Sequence, residues 1–176
     1  MIKNKFDVKI ILGLILSVYF FYDIAVGDQQ FKVTRVTDGD TIIIREPDSK
    51  TDIKIRLVGI DAPETSKKKN QPGQPFSRKS TKYLASLVLN KSVEVKSYGT
   101  DRYGRTLAVV FFGGKNANLE MVKAGLAEVY RGRTAGGLDL EPYWNDEAEA
   151  KKAGIGMWSL GDKYISPRKW RRMQKK

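Results

Sequence analysis

The chain has 176 residues, 41% of them hydrophobic, which is enough for one domain with its own core and appended segments. It contains no Cys and no His, which excludes disulfides, thiolate zinc sites and imidazole general-base catalysis. The formal net charge of +12 favours a polyanionic partner such as nucleic acid, anionic lipid or acidic polysaccharide. Any hydrolytic chemistry must therefore use carboxylates, hydroxyls, cationic side chains or a metal ion with oxygen ligands.

The amino-terminal segment, residues 1–27, has the pattern of an export signal. Three lysines precede an apolar run over 10–22, which is shorter than the roughly 20 residues that cross a bilayer as a helix. The small residues Ala25 and Gly27 permit cleavage before Asp28. An uncleaved membrane anchor through residues 10–26, with its amino terminus inside, stays open as the alternative. In both cases we expect an exported protein that is secreted, periplasmic or at the cell surface.

Residues 30–161 are predicted to form one domain of short strands and helices. Alternating or β-branched runs predict strands over 30–36, 41–45, 53–58, 93–98, 106–112 and 126–130. Helical spacing, capping residues and glycine stops predict helices over 76–89, from Asn116 or Asn118 to about Gly125, and from Pro142 to Gly154. Five or six short strands with one helix between the third and the fourth are typical of a small Greek-key barrel of the oligonucleotide-binding (OB) type.

The stretch from residue 53 to residue 65 concentrates charged groups at the end of a predicted strand. Alternation along this strand places Arg56 on the face opposite its apolar side chains. Pro63 ends further sheet pairing, and Asp61 and Glu64 lie on either side of it. One short segment thus supplies a guanidinium and two carboxylates, a grouping that suits a metal ion and a phosphate held side by side.

Two other segments add to this one. Residues 38–41 read Asp-Gly-Asp-Thr, and residues 101–105 read Asp-Arg-Tyr-Gly-Arg. Taken singly, each is typical of a turn. Together with residues 56–64, and in this order, they resemble the staphylococcal nuclease (thermonuclease) family, and the resemblance extends from about residue 31 to residue 158. It implies an α+β fold, a five-stranded OB-type Greek-key barrel with three helices.

The resemblance also implies a role for each matching residue. Asp40, Asp61 and the backbone carbonyl of Ala62 correspond to the ligands of Ca²⁺. Glu64 corresponds to the catalytic carboxylate that orients or deprotonates the attacking water, and Arg56 and Arg105 to the two guanidinium groups that grip the scissile phosphate.

Two further residues, Asp38 and Thr41, are expected to support these ligands. The chemistry is consistent with such a site, because arginine forks match phosphate oxygens and Ca²⁺ accepts oxygen ligands without needing His.

Further residues are candidates for contacts with nucleic acid. After Gly125 the chain departs from the best-known member of the family, which has a Tyr pair beside the bound nucleotide. Here Tyr130 is followed by Arg131 and Arg133, so we expect additional phosphate contacts in place of base stacking. Tyr103, in the charged turn, is a further candidate.

The tail, residues 162–176, carries seven Lys or Arg and one Asp. It is interpreted as a flexible terminus, as a nucleic-acid tether through Arg168, Trp170 and Arg171, or as a contact with an anionic membrane.

These patterns, together with what the resemblance implies, favour an exported, Ca²⁺-dependent endonuclease that acts on DNA and RNA as a monomer. The alternative is a catalytically silent nucleic-acid-binding module of the OB type. A third hypothesis is an exported polyanion-binding adhesion module, which no specific motif favours. A silent module should lack some of the residues that the reaction needs, and the chain retains all five, namely Asp40, Arg56, Asp61, Glu64 and Arg105.

Overall fold

The computed structural model describes residues 30–48, 50–66 and 70–174. The proposed leader or anchor, residues 1–27, lies outside these described residues. Within them, no helix has the length and apolar character needed to cross a membrane. The strands in chain order are β1 (Phe31–Asp38), β2 (Thr41–Arg45), β3 (Asp52–Leu57), β4 (Ile60–Asp61), β5 (Ser92–Thr100), β6 (Thr106–Phe112), β7 (Lys115–Asn116) and β8 (Glu128–Val129).

Five of these strands close into a barrel. They run antiparallel in the order β3-β2-β1-β5-β6, and a parallel pairing of β3 with β6 joins the two edges. In that seam Arg56 is in register with Leu107. The predicted five-stranded OB-type barrel is therefore confirmed.

The barrel core explains the alternation seen in the sequence. Ile42 and Ile44 of β2 are buried, as are Ile55 and Leu57 of β3, and all four belong to one hydrophobic cluster. Because successive side chains of a strand point to opposite faces, Arg56 lies on the other side of β3 from these residues. Packing of the apolar face thus determines where this guanidinium emerges.

The helices in chain order are α1 (Ser77–Val88), α2 (Ala117–Lys123), α3 (Glu141–Lys152), a 3₁₀ helix (Gly156–Lys163) and α4 (Pro167–Met173). Helices α1, α2 and α3 confirm the three predicted ones. Asn116, not Asn118, caps α2, and its side chain accepts a hydrogen bond from the Leu119 backbone N–H at 3.2 Å. Helix α1 packs against β1, and α2 packs against both α3 and β6.

Helix α4 is an addition that the sequence analysis did not assign. It begins at Pro167, and the Ser166 side chain caps it by accepting a hydrogen bond from the Lys169 backbone N–H at 3.2 Å. Ser before Pro is a recognisable helix start, so this signal was present in the sequence. The tail therefore has defined structure as far as the described residues reach.

Candidate active site

The tight turn between β1 and β2 presents Asp40. Its Oδ1 accepts a hydrogen bond from the Thr41 hydroxyl at 2.9 Å, and its Oδ2 accepts one from the Ala62 backbone N–H at 3.0 Å. The Asp40 backbone N–H donates to Asp38 Oδ1 at 3.2 Å. Asp38 and Thr41, predicted as supports, thus both contact Asp40, which is 2% exposed.

Arg56 joins the two predicted metal-binding aspartates. Its Nη1 pairs with Asp40, and its Nη2 lies 2.9 Å from Asp61 Oδ1. Nη2 also donates to the Ile60 carbonyl at 3.3 Å. The guanidinium therefore contributes positive charge to two buried carboxylates, because an unpaired buried charge is costly in a protein interior.

Burial and charge act in opposite directions on the pKa of Asp40. Burial by itself would raise the pKa of the Asp40 carboxyl, but the Arg56 guanidinium and the surrounding hydrogen bonds keep that pKa below its ordinary value. Burial raises the pKa of Asp38 to about 7, and the neighbouring charge of Asp40 acts in the same direction. Asp40 thus stays ionised at a pH at which Asp38 is partly protonated.

Asp61 lies on the short strand β4, which pairs antiparallel with β8. It is 1% exposed, and Glu128 of β8 is opposite it in the ladder. Ala62 follows directly and is also buried. The pairing of β4 with β8 therefore holds the predicted ligand segment against the body of the protein.

Glu64 is held in place through its backbone by Gln74. The Glu64 N–H donates to Gln74 Oε1 at 3.0 Å, and the Glu64 carbonyl accepts from the Gln74 backbone N–H at 2.9 Å. Gln74 is 4% exposed, although it lies in a polar Pro/Gly-rich loop. The sequence analysis missed this residue, because nothing local distinguishes it from Gln71, the other glutamine of the loop.

The largest difference from expectation concerns Arg171 of α4. Its Nη1 lies 2.9 Å from Asp61 Oδ1 and 2.6 Å from Glu64 Oε1, and its Nη2 lies 2.7 Å from Asp61 Oδ2. Hydrogen bonds and charge from Asp61 and Glu64 raise the pKa of this guanidinium, so Arg171 is positively charged. The sequence analysis interpreted Arg171 as a nucleic-acid contact in the tail, and the structure places it against the predicted metal and catalytic carboxylates.

Arg105 lies in the charged turn immediately before β6. Its Nε donates to Asp101 Oδ2 at 2.7 Å, while Asp101 Oδ1 accepts from the backbone N–H groups of Tyr103 and Arg105. Thr106 pairs with Ile55 of β3, so the turn ends beside the strand that carries Arg56. The structure therefore brings Arg56 and Glu64 into one cluster and holds the Arg105 guanidinium on Asp101 at a neighbouring position.

The other predicted nucleic-acid contacts have varied surroundings. Tyr103 is 68% exposed and lies beside the guanidinium groups of Arg102 and Arg105. Arg133 is exposed, and Tyr130 is half-buried. The guanidinium of Arg131 lies over the Trp144 ring, 4.1 Å from its centroid.

The remaining candidates, Arg168 and Trp170, belong to the tail. Arg168 donates a hydrogen bond at 3.4 Å to the backbone carbonyl of Arg131, and the Arg131 side chain also pairs with Glu147. Trp170 lines a small cleft with Pro75 and Met157, so its ring packs against the body of the protein.

Within residues 30–48, 50–66 and 70–174, the structure shows no group of three or more His, Cys, Asp or Glu side chains that could hold a metal ion. The predicted ligand set has a different composition, namely two aspartate side chains and a backbone carbonyl. All of these donors are oxygen atoms, and oxygen is the donor that Ca²⁺ prefers. The set therefore fits a hard cation that completes its coordination with water or substrate.

Comparison with known proteins agrees with this geometry. Residues 54–160 match the family described as staphylococcal nuclease homologue. An uncharacterized endonuclease of Haemophilus influenzae is 41% identical over 144 residues, covering 82% of this chain and 74% of that protein. An uncharacterized endonuclease of Escherichia coli O157:H7 is 40% identical over 153 residues, covering 86% of this chain and 91% of that protein.

A more distant relative, endonuclease Htp3 of Saprolegnia parasitica, is 33% identical over 159 residues, covering 80% of this chain and 74% of that protein. The fold and these endonuclease relatives define an OB-type hydrolase. The chain belongs to the staphylococcal nuclease family and is a nuclease.

Proposed function

We propose that the chain is a calcium-dependent endonuclease that hydrolyses phosphodiester bonds of DNA and RNA as a monomer. The main support is the contact of Arg56 with Asp40 and Asp61, together with Glu64 at the edge of the same cluster. Hydrolysis of a phosphodiester requires neutralisation of its charge and a base that positions water. In a chain without His, carboxylates and guanidinium groups supply both functions.

The cation would be held by Asp40, Asp61 and the carbonyl of Ala62. Both aspartates are buried and now pair with guanidinium groups, so the cation would take the place of a guanidinium on these carboxylates. When bound, the ion would neutralise charge on the phosphate.

The chain's own groups would perform the remaining steps. Glu64 would accept a hydrogen bond or a proton from the attacking water, since its backbone is fixed and its carboxylate is partly exposed. Arg56 would donate to the phosphate oxygens. Arg105 would join it after its guanidinium leaves Asp101.

The direct test is cleavage of end-labelled single-stranded DNA and RNA by the full chain, with Ca²⁺ or with a calcium chelator. We expect internal cuts in both nucleic acids with Ca²⁺ and none with the chelator. Binding of nucleic acid without cleavage in either condition would instead support the silent OB-type module.

The role of Glu64 is tested by Glu64→Gln, which keeps the size of the side chain and removes its charge. We expect the single-turnover rate to fall by about 10²–10⁴-fold, with substrate binding nearly unchanged. Glu141→Gln is a matched control, because Glu141 is exposed at the start of α3. Weaker binding at an unchanged rate would contradict the catalytic role.

We also propose that the protein is exported. The support is the sequence of residues 1–27 alone. Amino-terminal sequencing of the protein from separated cell fractions tests this. A chain that starts at Asp28 outside the cytoplasm supports a cleaved leader, and an intact chain in the membrane fraction supports the anchor. An intact chain in the cytoplasm contradicts export.

A further inference from the structure

The tail helix α4 is positioned by the body of the protein. The Gln74 Nε2 donates to the Ile165 carbonyl at 2.6 Å, just before the helix. The Tyr164 hydroxyl donates to Glu128 Oε2, on the strand that pairs with Asp61. Gln74 therefore connects the backbone of Glu64 to the tail, and α4 is placed by the elements that also place the acidic cluster.

One cation of α4 is selected by this placement. Arg168, Lys169 and Arg172 are exposed, whereas the Arg171 side chain is 35% exposed and makes three contacts with the cluster. General attraction between a basic tail and an acidic cleft would not single out one side chain. The bidentate fork on Asp61 is also a geometry that guanidinium provides and ammonium does not.

We propose that Arg171 is a third arginine of the active site, holding Asp61 and Glu64 together before substrate binds and contacting the phosphodiester during cleavage. This inference rests on the proposed function. The argument is one of distance. Arg171 Nη1 is 2.6 Å from Glu64 Oε1, and Glu64 orients a water whose oxygen must come within about 3–3.5 Å of the phosphorus. A guanidinium at that place meets the phosphate when the phosphate enters.

The same contacts make Arg171 compete with the cation for the Asp61 carboxylate. Both oxygens of Asp61 accept hydrogen bonds from this guanidinium, and a divalent cation on the same carboxylate would be repelled by it. Transfer of Arg171 from Asp61 to a phosphate oxygen relieves this repulsion and adds a donor where charge develops in the transition state.

The test compares Arg171→Ala with the wild type in two measurements, namely kcat on single-stranded DNA at saturating Ca²⁺, and calorimetric titration of Ca²⁺ without nucleic acid. We expect kcat to fall about 100-fold and the affinity for Ca²⁺ to rise about tenfold or more. Arg171→Lys should keep Ca²⁺ affinity near that of the wild type but still lose rate, because the charge remains and the fork is lost.

The control is Arg172→Ala, the same charge change at the next, exposed residue of α4. It should leave both measurements unchanged, and equal losses in both variants would overturn the proposal. A faster Arg171→Ala enzyme would make the tail an inhibitor, and an unchanged kcat would remove Arg171 from the reaction. Damage to the fold would weaken Ca²⁺ binding and is therefore distinguishable.

A wild-type protein that cleaves no nucleic acid would defeat the proposed function separately. The Ca²⁺ titration would then decide whether Arg171 occupies the acidic site. Tighter binding in Arg171→Ala would support that placement, and unchanged binding would overturn it.

Discussion

The seam between β3 and β6 can be tested at Asn118. This side chain is fully buried, and its Oδ1 accepts a hydrogen bond from the Val110 backbone N–H at 3.1 Å. Its Nδ2 donates to the carbonyls of Val58 at 2.9 Å and Ala108 at 3.1 Å. One amide thus joins the end of β3 to β6. Strand β3 carries Arg56, and Arg105 directly precedes β6.

Asn118→Ala removes all three hydrogen bonds. The Ala108 carbonyl keeps the Val58 backbone N–H at 2.9 Å, but the Val110 N–H and the Val58 carbonyl lose this partner while buried. Each such loss costs about 1–3 kcal/mol, so we expect the free energy of unfolding to fall by about 2–6 kcal/mol. That is a large part of the about 5–15 kcal/mol that stabilises a typical domain.

The measurement is urea unfolding followed by tryptophan fluorescence. Asn116→Ala is the matched control, because it removes the cap of α2 by the same substitution two residues away and should cost about 1 kcal/mol. If Asn118→Ala costs no more than Asn116→Ala, the seam does not depend on this amide and the argument is wrong.

Three other variants test the site. Arg105→Lys should lower kcat at least tenfold in steady-state kinetics, because a lysine cannot reproduce the guanidinium fork that now lies on Asp101. Full activity of this variant would remove Arg105 from the mechanism. Gln74→Ala should lower kcat about tenfold with KM little changed, since the Glu64 backbone loses a partner, and an unaltered kcat would argue against this support. Gly39→Ala should lower the melting temperature by several degrees, because the added Cβ would lie 1.9 Å from a hydroxyl oxygen of α1; calorimetry measures this, and an unchanged temperature would contradict it.

The sequence was sufficient for the barrel and for most of the acidic cluster. Strand alternation and turn residues depend on only a few neighbouring positions. The order of the elements, and the face of β3 on which the Arg56 side chain lies, could therefore be predicted from the local sequence pattern. The short motifs that contain Asp40 and Glu64 were recognisable for the same reason. Whether each of these residues performs its predicted role stays a prediction.

The contact of Arg171 could not be predicted in this way. It joins residues separated by 110 positions, and no periodicity or spacing reports on such a pair. Gln74 was missed for a related reason, because its role depends on the tail carbonyl of Ile165 as much as on Glu64. Both omissions lie where α4 packs on the barrel, and α4 was the one α-helix of residues 30–48, 50–66 and 70–174 that the sequence analysis did not assign.

The charges of the cluster show why the tail matters for the proposed reaction. Asp40, Asp61 and Glu64 face the guanidinium groups of Arg56 and Arg171, so three carboxylates meet two positive charges and one negative charge is left over with α4 in place. A phosphodiester adds one negative charge to this site, and the groups present cannot neutralise it while both arginines remain on carboxylates. Release of Arg171 to the phosphate leaves Asp61 for a cation. The contact made by α4 therefore couples cation binding to substrate binding, which is the physical basis for expecting opposite effects of Arg171→Ala on kcat and on Ca²⁺ affinity.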